Sequence, residues 1–424
     1  MDFRTDAGFA TELDRADPLA SFRDRFHIPQ HAGQDEIYFC GNSLGLQPKS
    51  TERYVREELE DWQRLAVKAH FDGRRPWMPY HEFFTERMAK VVGAKPVEVV
   101  NMNSLTVNLH LMMTSFYRPS SGRNKIVIER GAFPSDRYAV AAQLGLHGLD
   151  PDRSLIELKP SEGDAYIDEA DVEALLRAEG ESIALLLLPG VQYYSGQAFD
   201  LARLVRAGHA AGCVVGFDLA HAVGNLPLKL HDSGADFAVW CNYKYMNAGP
   251  GAVAGCFVHE WHARDFERPR LAGWWGHDKA SRFRMGPEFV PMAGAEGWQL
   301  SNPPVLGLAP LLASLEIYDE AGMDRLRDKS LKLTGYLEFL LQERLKEEIE
   351  ILTLADPTRR GCQLSLRLHK GRDAARRVFE RLEEAGVTGD WREPDVIRVA
   401  PVPLYNSYSD VFRFVDILAG LVQP

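Results

Sequence analysis

The 424-residue sequence has no apolar run approaching the ~18 residues that a membrane span requires. Its opening stretch, MDFRTDAGFATELDRADPLASF, carries acids and lacks the apolar centre of a secretory leader, so the chain is expected in the cytoplasm. Positive charge is in deficit. Lys plus Arg number 49 against 60 Asp plus Glu, and the net charge of −11 argues against nucleic acid or an anionic membrane as the main partner. Cysteine is scarce as well: Cys40, Cys213, Cys241, Cys256 and Cys362 are odd in number, include no CxxC and mostly sit in apolar runs. That pattern excludes a disulfide or zinc framework in favour of reduced core thiols, and no metal site is expected. Internal repeats and low-complexity tracts are also missing. What remains is a chain rich enough in apolar residues to bury a large core, dividing into two lobes, as a soluble enzyme or scaffold would.

The stretch Val214 to Gly251, VVGFDLAHAVGNLPLKLHDSGADFAVWCNYKYMNAGPG, organises the rest. Val214 to Phe217 reads as a buried strand with Asp218 at its carboxyl end, where open α/β sheets place their ligand crevice. A second run, Phe237 to Cys241, leads into Asn242, Tyr243 and Lys244. About one strand-to-strand crossover separates the aspartate from the lysine, so neighbouring strand ends can present both to one pocket. A lysine in a dry pocket can form a Schiff base with an aldehyde cofactor, and an aspartate opposite suits a pyridinium nitrogen. The pair points to pyridoxal 5'-phosphate. Each residue alone has a plainer reading, Asp218 as a helix N-cap and Lys244 as a solvated side chain.

Other elements follow in order. A short helix starts at Asp17-Pro18-Leu19, Glu36 to Cys40 is a brief strand, and CGNSLG forms a turn before a helix from Lys49 to Leu65. Val97 to Asn103 runs into Ser104, Leu105 and Thr106 at the start of a helical stretch, where the pattern by itself favours an ordinary cap over an anion site made by free backbone N–H groups and the helix dipole. Lys125 to Glu129 is strand-like and is followed by Phe133-Pro134-Ser135-Asp136, where a ring can stack on a cofactor or simply pack in the core. Ser154 to Leu158, Ile183 to Leu188 and Gly255 to His259 add further strands, and Glu169 to Glu179 and Leu201 to Ala211 add helices. The whole describes an α/β fold, a mainly parallel seven-stranded sheet with helices on both faces. From Val305 the pattern becomes one long helix to about Glu347, then strand, helix, strand and helix, a small α+β domain. Arg398, flanked by apolar residues in VIRVA, suits a buried amino-acid carboxylate or else an outward strand face.

FDLAHAVGN followed by WCNYKYMNAGPG resembles the kynureninase family, pyridoxal-phosphate enzymes of the aspartate-aminotransferase superfamily (fold type I). CGNSLG, RPW, NSLTVNLH, FPSDRYA, GVQYYSGQ, GWWGH, SNPP and RVAPVPLYNSY resemble segments of that family in the same order, covering nearly the whole chain. The resemblance implies a homodimer with a shared active site that hydrolyses the Cβ–Cγ bond of a kynurenine. It implies Lys244, Asp218 and Tyr243 in catalysis, and Leu105, Thr106, Phe133, Pro134, Ser135, Asp136, His221, Trp274 and Asn302 around the cofactor, with Trp274 coming from the partner subunit. His221 is expected to brace the Asp218 carboxylate, and Tyr243 to handle a proton. Ser43, His70, Asn302 and Arg398 are carried over as substrate contacts, with His70 and Asn302 beside the aromatic ring. The division expected is residues 1–62 with the small lobe, 63–304 as the cofactor-binding domain and 305–424 as the small domain. Two rivals stand beside this reading: another fold-type-I enzyme such as a cysteine desulfurase or aminotransferase, and a non-catalytic cofactor-binding regulator.

Overall fold

The computed structural model describes residues 2–160 and 165–423. Its centre is a seven-stranded sheet of β1 (Val99–Asn101), β2 (Lys125–Glu129), β3 (Leu155–Leu158), β4 (Ile183–Pro189), β5 (Val214–Asp218), β6 (Phe237–Trp240) and β7 (Gly255–Val258). The order across the sheet is β1-β7-β6-β5-β4-β2-β3. Strands β2 to β6 pair in parallel, while β7 runs antiparallel to both β1 and β6. Alternation sorts the side chains between two layers. Leu186 and Leu188 of β4 join Val127, Phe217 and Trp240 in one core, and Leu185 and Leu187 join Ile126, Ile128 and Val239 in the other. Helices cover both faces, which is why these strands read as continuous apolar runs rather than alternating ones.

Helix α1 (Leu105–Phe116) follows β1, and α2 (Pro134–Leu146) follows β2. Beyond the sheet, α3 (Val305–Ala321) and α4 (Met323–Leu345) are two helices where a single bent one was expected. The reason is Gly322, whose φ of +75° takes the chain out of helical geometry between them.

The small lobe is an antiparallel sheet of β8 (Ile349–Ile351), β9 (Leu364–Leu368), β10 (Asp390–Arg392) and β11 (Val396–Val399), in the order β8-β9-β11-β10. Its core joins α4 residues Leu333 and Leu337 to Phe379 and Phe414, with Ala10, Ile37 and Phe39 from the start of the chain. Leu19, Phe26, Leu46 and Tyr54, by contrast, pack in the large core, as do Leu308 to Ala321 of α3. The first sixty residues therefore bridge the lobes instead of belonging to the small one, and the large core extends past residue 304. The helix Thr51–Leu65 packs along α3, while the short strand Ile37–Tyr38 pairs with Val387–Thr388.

Candidate active site

Parallel strands all present their carboxyl ends to one side, and the ends of β2, β4, β5 and the segment after β6 enclose a pocket there. Glu129, Pro189, Asp218 and Lys244 line it from those ends; Leu105, Thr106, Phe133, Ser135 and Asp136 line it from the starts of α1 and α2. Asp218 is in register with Pro189 on one side and Val239 on the other, and its Oδ1 accepts the Ala220 N–H at 2.7 Å. Asp136, in the first turn of α2, hydrogen-bonds the Asp218 carboxylate. Burial pushes both carboxyls up, and at Asp136 the neighbouring Asp218 charge adds to the effect, whereas at Asp218 that hydrogen bond, the Ala220 N–H and Lys244 oppose it. The two carboxyls thus resist carrying two charges at once, while Lys244 favours their ionised form.

Lys244 sits on a loop held from several directions. Asn242, fully buried, donates to Asn101 Oδ1 (3.1 Å) and the Val253 carbonyl (2.7 Å), and accepts from Trp240 Nε1 at 3.1 Å. The CGNSLG turn closes over it: the Gly45 N–H donates to the Tyr243 carbonyl at 2.8 Å, and a Cβ at Gly45 would overlap the Lys244 carbonyl and Asn247. A Cβ at Gly41 would likewise overlap the Tyr405 hydroxyl, so both glycines of that turn serve close packing within the chain. The Lys244 Nζ lies 3.0 Å from His221 Nε2. Burial first, and then Lys244, hold the His221 imidazole neutral, so its Nε2 accepts from Lys244 Nζ. The expectation that His221 braces Asp218 is corrected here, because the turn after β5 lets the Ala220 N–H cap the carboxylate and carries the imidazole on to Lys244. The Tyr243 ring centre is 6.0 Å from Nζ, and burial raises its hydroxyl above the ordinary range.

Opposite stand two helix starts. Ser104, the cap residue of α1, has extended backbone and makes no side-chain cap bond, so the plain-cap reading of this segment fails and the first-turn N–H groups keep their donor capacity. Thr106 Oγ1 and Ser135 Oγ, 2.9 Å apart, tie the two helix starts together. Phe133 caps α2 and meets Tyr193 edge-on at 5.4 Å.

Of the remaining expected residues, Arg398 is fully buried and donates through Nη1 to the Tyr193 carbonyl at 2.6 Å, which rules out the outward strand face. Ser43, His70, Trp274 and Asn302 do not line the pocket of their own chain. Ser43 is half-buried in its turn, and His70 Nδ1 lies 3.0 Å from the Val67 carbonyl with its ring against Trp77. Trp274 and Asn302 are exposed, the former packed edge-on against Trp275 and Phe283. Two lining residues with polar side chains went unremarked from sequence. Tyr193 lies within GVQYYSGQ, and Glu129 ends β2, where burial pushes its carboxyl up to about 8. A strand-terminal carboxylate beside FPSD was the available signal for Glu129.

A pyridoxal phosphate fits this donor set. Two joined helix starts offer a phosphate its N–H groups, the buried Asp218 carboxylate offers a cationic ring nitrogen its counter-charge, and the buried Asp136 Oδ1 and His221 Nδ1 have no hydrogen-bond partner among the described residues.

Across 415 residues the sequence is 58% identical to the kynureninase of Koribacter versatilis (strain Ellin345), covering 98% of this chain and 97% of that one. The chain belongs to the kynureninase family. A kynureninase of Xanthomonas campestris pv. campestris (strain B100) is 59% identical over 407 residues, covering 96% of each chain. The family model for the kynureninase C-terminal domain matches residues 326–418, which take in the small sheet and Arg398. Among solved structures, the cysteine desulfurase CsdA from Escherichia coli superposes with a TM-score of 0.77 at 18% identity, covering 96% of this chain and 98% of that one. The cystine C–S lyase C-DES superposes at 0.75 and 17% identity, covering 91% and 97%. At such identities these two share the fold with this kynureninase-family chain and nothing finer.

Proposed function

We propose that the chain hydrolyses the Cβ–Cγ bond of L-kynurenine and 3-hydroxy-L-kynurenine, releasing L-alanine and the corresponding anthranilate, with pyridoxal 5'-phosphate as cofactor. One observation carries the chemistry: Asp218 and Lys244, beyond adjacent parallel strands, line the same pocket as two joined helix starts, in a chain of the kynureninase family.

Bound pyridoxal phosphate supplies an electron sink for the pair released at the amino-acid carbon. Leu105 and Thr106 offer backbone N–H groups to its phosphate, with Trp274 of a second copy completing that end. Asp218 stabilises positive charge on the ring nitrogen, with Asp136 beside it in the pocket. Phe133, half exposed within one chain, offers a face for stacking. Lys244 is the amine that anchors the aldehyde and the base that takes the Cα proton, and neutral His221 orients it. Tyr243, kept protonated by its burial, donates a proton on the substrate side. The balance is one water per turnover: its oxygen joins the γ-carbonyl carbon to make the anthranilate carboxylate, and hydrogen reaches Cβ to make the alanine methyl. Arg398 takes the α-carboxylate, Ser43 contacts the substrate, and His70 and Asn302 face the aromatic ring.

The shared site makes a homodimer part of this proposal. Trp274, Phe283 and Met285 expose large apolar side chains on one loop segment, which supports a covering partner. The domain division proposed is a large cofactor-binding lobe and a small lobe from α4 onward. No described helix is long and apolar enough to cross a membrane, and the proposed location is the cytoplasm. The test is incubation of the purified, cofactor-loaded protein with L-kynurenine and with 3-hydroxykynurenine, following alanine and anthranilate. Absence of both products with both substrates would refute the reading.

A further inference from the structure

Strand β10 is an edge strand of the small sheet, paired only with β11. Its side chains alternate, so Asp390 and Arg392 share one face and Trp391 takes the other, against Phe379. Register places Asp390 directly opposite Arg398, which brings three charged residues to the same face. Asp390 Oδ2 accepts from Arg392 Nη2 at 3.0 Å and from Arg398 Nη2. Arg398 also donates to the Tyr193 carbonyl, so the group abuts a residue lining the active-site pocket.

One carboxylate thus serves two guanidinium groups, and the cluster carries an uncompensated positive charge. Elsewhere the buried Arg360 has Glu338 as its own partner. Arg398 is fully buried and Arg392 is about two-thirds buried, and holding that much guanidinium charge away from water with one anion between two is costly, so this unbalanced pair beside a pocket marks a place where an anion arrives with the ligand. The unused donors fit that role. Nε of Arg392 and Nε of Arg398 are both buried and both lack a hydrogen-bond partner among the described residues. Both guanidinium groups also contribute, after burial and Lys244, to keeping His221 neutral, which places their charge at the pocket.

Resting on the reading of the site as kynurenine-cleaving, we propose that Arg392 and Arg398 form a two-guanidinium clamp for the substrate's α-carboxylate, one oxygen to each, with Asp390 as the positioning residue that holds the two together. Arg392 is then a substrate-binding residue alongside Arg398. A carboxylate has two oxygens to satisfy, and charge-assisted bonds to two fixed guanidinium groups orient it as well as bind it.

The test compares ligands with and without the carboxylate on the holoenzyme. L-alanine, the product, and L-alaninamide are titrated against wild type, Arg392→Gln, Arg392→Lys and Asp390→Asn by the change in visible absorbance, and KM and kcat are measured with L-kynurenine. Arg392→Gln is expected to weaken L-alanine and raise KM by about 10- to 100-fold, with kcat within about threefold and alaninamide within about twofold. Arg392→Lys restores part of the loss, because it returns the charge without the fork. Asp390→Asn weakens L-alanine selectively as well. Unchanged L-alanine binding in Arg392→Gln overturns the clamp, as does an equal loss of both ligands, which marks a structural role. If Arg392→Gln does not fold, Arg392→Lys carries the same contrast, with a loss of about three- to tenfold expected for L-alanine alone. Failure of wild type to cleave kynurenine overturns the functional reading instead, and is read separately from the ligand contrast.

Discussion

Lys244 Nζ stands 3.0 Å from Nε2 of His221, an imidazole that burial keeps neutral. A neutral imidazole orients the amine through a hydrogen bond without placing a second charge beside it, which suits an amine that acts as nucleophile and base. Lys244→Ala is expected to lose turnover and the visible absorbance of lysine-linked cofactor together, while retaining some cofactor through the helix starts. Retention of both colour and alanine release would remove Lys244 from the mechanism.

Asp218→Asn keeps the shape of the site and the Ala220 N–H contact but removes the anion. Turnover should fall on the order of 10³-fold, about 4 kcal/mol of barrier, with thermal unfolding little changed. Near-normal kcat in this variant would contradict the role of Asp218 at the ring nitrogen.

Glu129 predicts a pH effect on stability. Its folded carboxyl is pushed up to about 8, first by burial and further by Asp218, against an ordinary value of 4.5. The folded state therefore holds a proton that the unfolded state has released, and this contribution is full below 4.5 and lost as pH rises through about 8. Asp136, Asp218 and Tyr193 surround the group, and the two aspartates, also raised, shift stability in the same direction. The difference between wild type and Glu129→Gln isolates Glu129. Denaturant unfolding of the apoprotein from pH 5 to 8 should show a shallower decline in the variant, and parallel curves would count against a protonated Glu129.

Gly45→Ala places a methyl against the Lys244 carbonyl and Asn247. Overpacking there should cost about 1–3 kcal/mol, read as a lower Tm, with weaker cofactor retention because the Lys244 loop must shift. An unchanged Tm would mean that the loop yields freely.

His70 and Asn302 lie away from the pocket of their own chain, so an effect of theirs on ring selectivity would run through the proposed second copy. If both face the substrate ring, kcat/KM for 3-hydroxykynurenine should exceed that for kynurenine by about tenfold or more, since a polar site left unpaired rejects the analogue lacking the hydroxyl. The double change His70→Trp with Asn302→Thr should lower that ratio. Equal preference in wild type, or a ratio untouched by the double change, would sink the claim.

The sequence by itself determined the sheet strands, the two helix starts and the strand-end placement of Asp218 and Lys244. Those features are local or periodic: a buried parallel strand is an apolar run, and a residue at its end is at the crevice whatever the rest of the chain does. Other features depended on which surfaces meet. That His221 reaches Lys244, that the glycines of CGNSLG fit against Tyr405 and the lysine loop, and that Leu19, Phe26, Leu46 and Tyr54 join the large core are matters of packing between segments distant in the chain. The environment of Arg398 belongs with them. Its apolar neighbours in VIRVA left a buried and an outward position both open, and only the register of β10 against β11, which sets Asp390 and Arg392 beside it, decided that it is a buried cation sharing a single counter-charge. Pairing register is a tertiary property, because it is set by which side chains the opposing strand and the facing lobe can accommodate, and no spacing along one strand encodes it.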